Sequence, residues 1–333
     1  MLRIGIAGFG KIGKIRAQEI QKNSQVKLVA IYDVVEQQYD DRSVVVCNSY
    51  EALLEQSLDA VFICTYNNVL ADYTIQALKK GIHVFCEKPP ARTLQELKDV
   101  EKIYKENKHL VLKYGFNHRY HYSVMKAKEI IDSGELGKIM WMRGVYGKAG
   151  SIDFNKNWRN YKKYSGGGIL IDQGIHMLDL ILFFTQEKFS NINSLISNSF
   201  WKIESEDNAF VLMKSEKNTI AMVHSSATHW KHKFLLEIYF EKGFINLDGI
   251  LSKTNSYAPE KLIMGRKDSE DINLAMGKPN ESSYYFENDD SWELEVNEFI
   301  NSVMSKNSIV NGTILDAMNV LELVENVYKN SNK

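Results

Sequence analysis

The sequence predicts an α/β fold in which an N-terminal doubly wound parallel sheet precedes an α+β domain with a large, mostly antiparallel open sheet. Apolar runs alternate with helical patterns along the first third of the chain, as in parallel sheets that are covered by helices. A glycine-rich turn joins the first run to the first helical pattern. Farther along, strand-like runs follow one another through short turns, which is typical of antiparallel pairing.

The alternation along the first third defines the elements of the parallel sheet. Apolar runs predict strands at residues 3–7, 27–32, 60–64, 82–86 and 110–114. Helices are predicted from the glycine-rich turn to residue 22 and at residues 70–80 and 93–106. Ligands of such sheets bind at the carboxyl ends of the strands, which are residues 65–68, 87–90 and 115–119 here.

The pattern changes near residue 120, and we place a domain boundary there. The predicted domains are residues 1–118 and residues 119–333, with the last two helices packing back on the first domain. The second domain is predicted to contain helices at residues 121–133, 291–303 and 314–329. Its strands are predicted at residues 138–147, 189–199, 209–214, 219–225, 234–240 and 244–247.

Composition excludes several classes of protein. The chain has 333 residues with 41 basic and 42 acidic side chains, and this near-zero net charge argues against nucleic-acid and anionic-membrane partners. It has no run of 18 apolar residues and no apolar N-terminal leader, so we expect neither a membrane span nor a signal peptide. Three dispersed cysteines without metal-ligand spacing indicate a reducing cytoplasm. We expect no metal site, including at the histidines His224, His229 and His232.

The glycine-rich turn has the spacing G-x-G-x-x-G between a strand and a helix. This is the dinucleotide-binding signature of a Rossmann domain, in which the pyrophosphate lies at the helix N-terminus. The first glycine permits the turn, the second lets the backbone approach the phosphates, and the third lets the helix pack closely on the strand. The alternative is a turn that merely needs glycines. The predicted cofactor contacts are Gly8, Phe9, Gly10, Lys11, Ile12 and Gly13.

An acid at the end of the second strand indicates which dinucleotide is bound. Asp33 follows Gly13 by 20 residues, where a carboxylate binds the adenosine ribose hydroxyls. This carboxylate would repel the 2′-phosphate of NADP, and the next residues are Val34, Val35 and Glu36 rather than Arg or Lys. NAD is therefore favoured over NADP.

A lysine follows the fourth predicted strand, at the ligand-binding edge of the sheet. Lys88 precedes Pro89 and Pro90, and Pro89 fixes its own φ and restricts Lys88. A cis bond between Lys88 and Pro89 is compatible with the sequence. A cation here can orient a substrate hydroxyl and lower the pKa of a neighbouring base. By position alone, a surface lysine in a turn is an equal alternative.

Residues 166–184 read GGGILIDQGIHMLDLILFF and predict a buried helix with an unusual polar stripe. Asp172, His176 and Asp179 have the spacing i, i+4 and i+7, which places them on one face of an α-helix. Burial of ionisable groups is costly unless they are paired or face a wet cavity. The stripe therefore either meets partners inside the fold or lines a pocket, and an ordinary buried ion pair is the alternative to a functional site.

These motifs, in this order, resemble the glucose–fructose oxidoreductase and inositol dehydrogenase family, called Gfo/Idh/MocA. The similarity spans nearly the whole chain and rests on the glycine motif, Glu87-Lys88-Pro89 and the segment GGGILIDQGIHMLDL. It implies catalytic roles for Lys88, Asp172 and His176. Asp179 lies two turns after Asp172, and we expect it to be structural. The resemblance further implies cofactor contacts from Thr65, Asn67, Glu87, Lys88 and Asn117, and substrate contacts from Lys88, Arg119, Trp158, Arg159, Asp172 and His176. After the predicted strand at residues 60–64, Tyr66 and Leu70 depart from the family's usual Pro and His.

The expected function is NAD-dependent hydride transfer between the nicotinamide and a ring hydroxyl of a sugar, cyclitol or nucleotide-linked sugar. In this hypothesis His176 accepts the hydroxyl proton, Lys88 stabilises the developing alkoxide, and Asp172 orients the substrate or tunes the imidazole. One alternative is reduction of a non-sugar carbonyl, imine or dihydrodiol. A second is a non-catalytic NAD- or sugar-binding regulator on the same fold.

The resemblance also implies a homodimer or homotetramer that forms through the open sheet. Further candidate pocket residues are His118, His121, Tyr146, Lys148 and Tyr161.

Overall fold

The computed structural model describes residues 1–150, 154–267 and 276–332 of the chain. These residues divide into two compact units, and each unit is built from more than one stretch of sequence. The first unit comprises Met1–Asn117, Lys163–Gly166 and Ser291–Leu321. The second unit comprises His118–Lys162, Gly167–Asp290 and Glu322–Lys333.

A six-stranded parallel sheet forms the centre of the first unit. Its strands are β1 (Leu2–Ala7), β2 (Val26–Tyr32), β3 (Val45–Cys47), β4 (Ala60–Ile63), β5 (His83–Glu87) and β6 (Leu112–Gly115), in the order β3-β2-β1-β4-β5-β6. The connecting helices are α1 (Lys11–Lys22), α2 (Tyr50–Leu54), α3 (Asn67–Lys79) and α4 (Leu94–Glu106). The predicted doubly wound sheet is confirmed. The sequence did not predict β3 or α2, because three and five residues are too short to show a periodic pattern.

The core of the first unit is aromatic at the centre of the sheet. Phe62 of β4 stacks on Phe85 of β5 at 4.7 Å, so the two strands present one continuous aromatic surface. Phe299 packs edge-on against both rings at 5.3 and 5.7 Å. Phe299 belongs to α8 (Ser291–Ser305), so this late helix completes the core of the first unit.

The second unit contains a nine-stranded sheet that is mostly antiparallel, as predicted. Its strands are β7 (Ile139–Gly147), β8 (Phe189–Ser197), β9 (Asn208–Ser215), β10 (Ile220–Ser226), β11 (Lys233–Phe240), β12 (Gly243–Asp248), β13 (Glu260–Arg266), β14 (Glu281–Phe286) and β15 (Ser331–Asn332). Their order is β14-β13-β12-β11-β7-β10-β9-β8-β15. Among the described strands of this sheet, only the β7/β10 and β8/β15 neighbours are parallel. Helices α5 (Tyr122–Ser133) and α7 (Ile175–Thr185) belong to this unit, whereas most of α6 (Lys162–Ser165) belongs to the first unit and α9 (Ile314–Lys329) is divided between the two.

The two faces of this sheet have different surroundings. Along β9 the side chains of Ala209, Val211 and Met213 are buried, and those of Phe210 and Leu212 are exposed. The buried face is covered by α7, where Met177 packs so closely on Gly144 of β7 that a Cβ at this glycine would overlap its thioether. On the opposite face, Phe210 and Leu212 are left exposed by the described residues of this chain, and we call this the open face of the sheet.

The apolar segment Lys162–Thr185, which ends in α7, is long and apolar enough to cross a membrane by length and composition alone. However, 78% of its most apolar 18-residue window is buried inside the protein. This burial is typical of the core helix of a folded domain.

A buried ion group ties together three segments of the first unit. Arg16 of α1 is fully buried, and its guanidinium donates to Glu87 at 2.7 Å and to Glu295 of α8 at 2.6 Å. The same guanidinium stacks on the rings of Phe85 and Trp292 at 4.4 Å. One side chain thereby connects the helix of the glycine motif, the residue before Lys88 and the late helix α8.

We predict that the substitution Arg16→Met lowers the free energy of unfolding by about 3–5 kcal/mol, because it leaves two buried carboxylates without their cation. Urea unfolding at neutral pH measures this loss. Arg266→Met is the matched control, since Arg266 pairs with Glu135 on the surface and is 65% exposed. This control is expected to change the free energy by about 0–1 kcal/mol. Equal effects of the two substitutions would contradict the assignment.

Candidate active site

The glycine-rich turn has a shape that only glycine permits at two of its three positions. Gly8 has a φ of +87°, and a Cβ there would overlap the Cys64 carbonyl. A Cβ on Gly13 would overlap the carbonyl oxygen of Gly8, so this glycine lets α1 pack closely on the turn. At Gly10, in contrast, no described atom lies within 4 Å of an added Cβ. The backbone at Gly10 is therefore open to a ligand, as the binding of a pyrophosphate requires.

The predicted dinucleotide residues of the turn surround the start of α1. Gly10 is the residue before this helix, and no described side chain caps its first N–H groups, which suits an anion. Asp33 lies beside the turn, where its carboxylate accepts from the Phe9 N–H at 2.5 Å and from the Val35 N–H at 2.9 Å. Lys11 is exposed, and Ile12 is half-buried. These residues fit a dinucleotide, and their individual contacts stay predictions.

The other predicted residues of the first unit lie at the ends of strands, as expected from the sheet. Thr65 follows β4, and Asn67 begins α3 with its amide donating to the Ser165 carbonyl at 2.9 Å. Lys88 is half-buried directly after β5, and its bond to Pro89 is cis. Asn117 is buried at the start of a 3₁₀ turn after β6. Glu87 is held by Arg16, so its carboxylate has a structural task besides its predicted cofactor contact.

The buried helix of the second unit differs from the regular α-helix that the sequence predicts. Leu170–Gly174 form a π-helical turn, and α7 continues from Ile175. A π turn contains an additional residue, so Asp172 does not share the α-helical register of His176 and Asp179. The predicted single stripe is therefore divided.

The two carboxylates of the divided stripe have different partners. Asp172 accepts from Arg159 Nε at 3.2 Å and lies 4.0 Å from Lys148 Nζ. Asp179 is buried and binds Arg119 through two bonds of 2.9 and 2.6 Å. Asp179 is thus part of a buried ion pair, as expected of a structural residue. Arg119 belongs to this pair, and its predicted contact with substrate stays a prediction.

The imidazole of the stripe lies in a buried aromatic cluster. His176 is 4% exposed and stacks on His118, with the ring centroids 3.8 Å apart and the planes inclined by 18°. His118 Nε2 lies 3.1 Å from the Tyr146 hydroxyl. Burial raises the pKa of Tyr146, with further contributions from Tyr257 and Asp172, so this hydroxyl stays protonated near neutral pH. The cluster fixes the orientation of the His176 ring.

A third histidine and a carboxylate pack against this cluster. His121 packs edge-on against His118 at 5.6 Å, and its Nδ1 lies 3.0 Å from Glu260. Burial alone would raise the pKa of Glu260, but the bond to His121 and the N–H groups of Leu251 and Ser123 lower it overall. Glu260 is therefore a carboxylate at neutral pH.

The start of the buried helix is held by a residue that the sequence analysis missed. Glu206 accepts from the N–H groups of Gly168 and Leu170 at 3.0 Å and from the Tyr328 hydroxyl at 2.8 Å. Burial raises the pKa of Glu206 despite these bonds. Glu206, Glu260 and Tyr257 escaped the sequence analysis because they lie outside any motif, and only the structure identifies their partners.

The predicted substrate residue Trp158 has the Arg159 guanidinium over its ring at 4.4 Å.

We predict that Tyr328→Phe lowers the free energy of unfolding by about 1.5–3 kcal/mol, because Glu206 loses a hydrogen bond to its charged group. Thermal or urea unfolding measures the change. Tyr285→Phe removes an equivalent hydroxyl from a side chain that is 68% exposed, and it should leave stability unchanged. A Tyr328 variant as stable as this control would show that the bond to Glu206 does not hold the helix.

Comparisons with known proteins agree with the observed fold and with the family that the sequence motifs indicate. Residues 2–116 match the family model described as the oxidoreductase family with an NAD-binding Rossmann fold, and residues 124–246 match that of the GFO/IDH/MocA C-terminal domain. Myo-inositol 2-dehydrogenase of Thermotoga maritima is 28% identical over 273 residues, which are 76% of this chain and 77% of that protein. D-glucoside 3-dehydrogenase of Escherichia coli is 31% identical over 211 residues, which are 61% and 58% of the two chains.

A solved structure supports the same fold. Levoglucosan dehydrogenase, in complex with NADH and levoglucosan, superimposes with a TM-score of 0.85 over 99% of this chain and 96% of that one, at 18% identity. The two family models together cover most of the sequence, and both belong to the family that the motifs indicate. The chain therefore belongs to the Gfo/Idh/MocA family of NAD-binding oxidoreductases.

Proposed function

We propose that this protein transfers a hydride between a ring hydroxyl of a sugar, a cyclitol or a nucleotide-linked sugar and NAD. The observation that carries the proposal is the buried His176 imidazole, which follows Asp172 on one helix of the second unit and is held against His118. The relatives named above act on inositol and on glucosides, which are ring alcohols. A substrate of this class fits a site with one base and several polar groups.

In this proposal each residue has one task. His176 accepts the hydroxyl proton, for which a neutral imidazole is suited near pH 7. Lys88 donates to the same oxygen and stabilises its developing negative charge. Asp172, which Arg159 and Lys148 hold, orients the substrate or tunes the imidazole. NAD, when bound, supplies the acceptor for the hydride.

We propose the binding residues on the same basis. The cofactor set is the glycine turn together with Asp33, Thr65, Asn67, Glu87, Lys88 and Asn117. The substrate set adds Arg119, Trp158 and Arg159 to the three catalytic residues. Residues 1–118 act as the cofactor domain and residues 119–333 as the substrate and oligomerisation domain. We expect the protein to work in the cytoplasm.

We further propose that the open face of the nine-stranded sheet binds a second copy of this chain, giving a homodimer or homotetramer. This face exposes apolar side chains on β8, β9 and β10, with Leu195, Phe210, Leu212, Ile220 and Met222 each 40–61% exposed. A contiguous apolar surface of this kind is typical of a protein–protein interface. A second copy would bury it by an isologous contact.

We predict that His176→Ala slows turnover by at least about a hundredfold and leaves NADH affinity within about twofold, because general base catalysis contributes this much. The assay is a panel of sugars, inositols and nucleotide sugars with NAD, followed by NADH absorbance. His109→Ala is the control, since His109 is exposed and lies outside the site. Near-normal turnover of the His176 variant would end the assignment of the base. A preference for carbonyl, imine or dihydrodiol substrates, or no turnover with bound nucleotide, would favour the alternatives.

We predict that Leu212→Lys reduces the molar mass measured by light scattering after size exclusion, because a buried unpaired charge costs several kcal/mol at an apolar interface. Met125→Lys is the control, since Met125 is 44% exposed on α5. A wild-type protein that is monomeric at micromolar concentration would contradict the proposed interface.

A further inference from the structure

Three aromatic side chains form an exposed patch on the second unit. Phe200 and Trp230 are 55% and 58% exposed, and their rings pack edge to face at 4.8 Å. Trp201 contacts both rings, at 5.2 Å from Phe200 and 6.1 Å from Trp230. We call these three residues the aromatic patch. Large aromatic surfaces are costly to expose and are often sites of binding.

The aromatic patch lies at the end of the sheet where β7 and β10 finish. These parallel neighbours end with the pair Gly147 and Ser226, and the Lys148 N–H donates to the Ser226 carbonyl at 2.7 Å. Ser226 also pairs with Asn208, the first residue of β9. The segments that follow β10 and precede β9 therefore lie at one end of the sheet, and they carry the three rings.

The same end of the sheet carries Asp172 and its cations. The Ser225 hydroxyl donates to the Ile169 carbonyl at 3.1 Å, which attaches the start of the π-helical turn to β10. Lys148, 4.0 Å from Asp172, has its ammonium 5.9 Å from the ring of Phe154. Phe154 in turn contacts Trp201 at 4.7 Å. The aromatic patch is thus continuous with the candidate active site within the second unit.

Two sets of bonds fix the aromatic patch in place. The Asp207 carboxylate accepts from the N–H groups of Ser199, Phe200 and Trp201 at 2.8, 2.8 and 3.0 Å. Burial would raise the pKa of Asp207, but these bonds lower it overall. The Trp201 indole donates to the Ala227 carbonyl at 2.8 Å. Phe200 and Trp201 are therefore held on a fixed backbone rather than on a loose loop.

Trp230 is held in an unfavourable backbone conformation although its side chain is exposed. Its φ is +54°, in the left-handed region that bulky residues rarely adopt. The neighbouring His229 N–H donates to the Lys148 carbonyl at 3.2 Å, so the strained residue directly adjoins the lysine beside Asp172. Strain of this kind is enriched at active sites, ligand-binding positions and switch regions.

We propose that the aromatic patch binds a second sugar ring, so that the substrate is a neutral glycoside with at least two rings. The apolar faces of pyranose rings pack on aromatic side chains, whereas their hydroxyls require the polar groups around Asp172. Lys148 and Phe154 connect Asp172 to the patch, so the patch would contact a different ring from the one that is oxidised. The binding energy of a remote ring can help to stabilise the transition state at the reacting ring. This inference rests on the proposed function.

The chemistry of the three rings favours a neutral glycoside, although exposed Lys202 and Lys231 flank Trp201 and Trp230 in the sequence. Lys148 and Arg159, the cations beside Asp172, both interact with its carboxylate. A diphosphate requires cations or N–H groups directed toward it. A neutral second ring needs no such charge, and the three aromatic rings supply its contact surface.

The test compares disaccharides with their monosaccharides in steady-state kinetics with NAD. Trp230→Gly removes the ring and relieves the backbone, because glycine adopts a positive φ without strain. We expect this variant to keep or raise the thermal midpoint. We expect Trp230→Gly and Phe200→Ala to lower the ratio of kcat/KM for cellobiose, maltose or trehalose to that for glucose by at least about tenfold. Tyr285→Ala, an exposed aromatic on β14, should leave the ratio unchanged.

Several outcomes would overturn the inference. These are turnover of monosaccharides or inositols alone, an unchanged ratio in both variants, a selective loss with UDP-glucose, or a changed oligomeric state with an unchanged ratio.

If the wild type oxidises no sugar, the proposed function fails, and calorimetry with NADH present tests the patch separately. Cellobiose binding that Trp230→Gly abolishes and Tyr285→Ala retains supports the patch. The absence of cellobiose binding overturns it.

Discussion

Burial of charged side chains on one apolar helix is the constraint that organises the second unit. A buried ion without a partner is strongly destabilising, so each polar residue of segment 169–185 requires a matching group from elsewhere in the chain. Arg119 binds Asp179, Arg159 binds Asp172, and His118 covers the face of His176. These partners lie on two short 3₁₀ turns, Asn117–Tyr120 and Trp158–Asn160. Satisfying the buried charges therefore also fixes the side chains that surround the candidate base.

The sequence was sufficient for the fold and for the identity of the polar helix, but not for its local geometry. Strand and helix alternation predicted the parallel sheet because apolar runs there are long and regular. The sequence analysis placed no strand at β13, β14 or β15. The side chains of β14 are nearly all exposed, so this strand shows no apolar alternation. The i, i+4, i+7 spacing marked Asp172, His176 and Asp179 as unusual, yet their partners could not be read from it. Arg119 lies 60 residues from Asp179 in sequence, and only tertiary packing brings them together.

The π-helical turn is the clearest difference between the sequence pattern and the structure. An apolar segment with helical spacing gives no signal for one additional residue in a turn, because all its neighbours are suited to burial. The turn separates Asp172 from the register of α7, and Asp172 meets Lys148 and Arg159 instead of sharing a face with Asp179. Such turns are poorer in hydrogen-bond geometry and are often found at functional sites. Here the Glu206 carboxylate accepts hydrogen bonds from two N–H groups at the start of the segment.

Two adjacent carboxylates connect the helix of the candidate base to the aromatic patch. Glu206 holds the start of the segment that carries Asp172, and Asp207 holds the backbone of Phe200 and Trp201. Both precede β9 directly, so a shift at the start of this strand would move both groups together. A substrate that contacts the patch with one ring and the Asp172 region with another would then be positioned by a single rigid element. Rigid placement of a remote binding group is what allows its binding energy to lower the barrier at the reacting carbon. Under the proposed function, the neighbouring residues Glu206 and Asp207 therefore link the stability of this unit to the selectivity of its site.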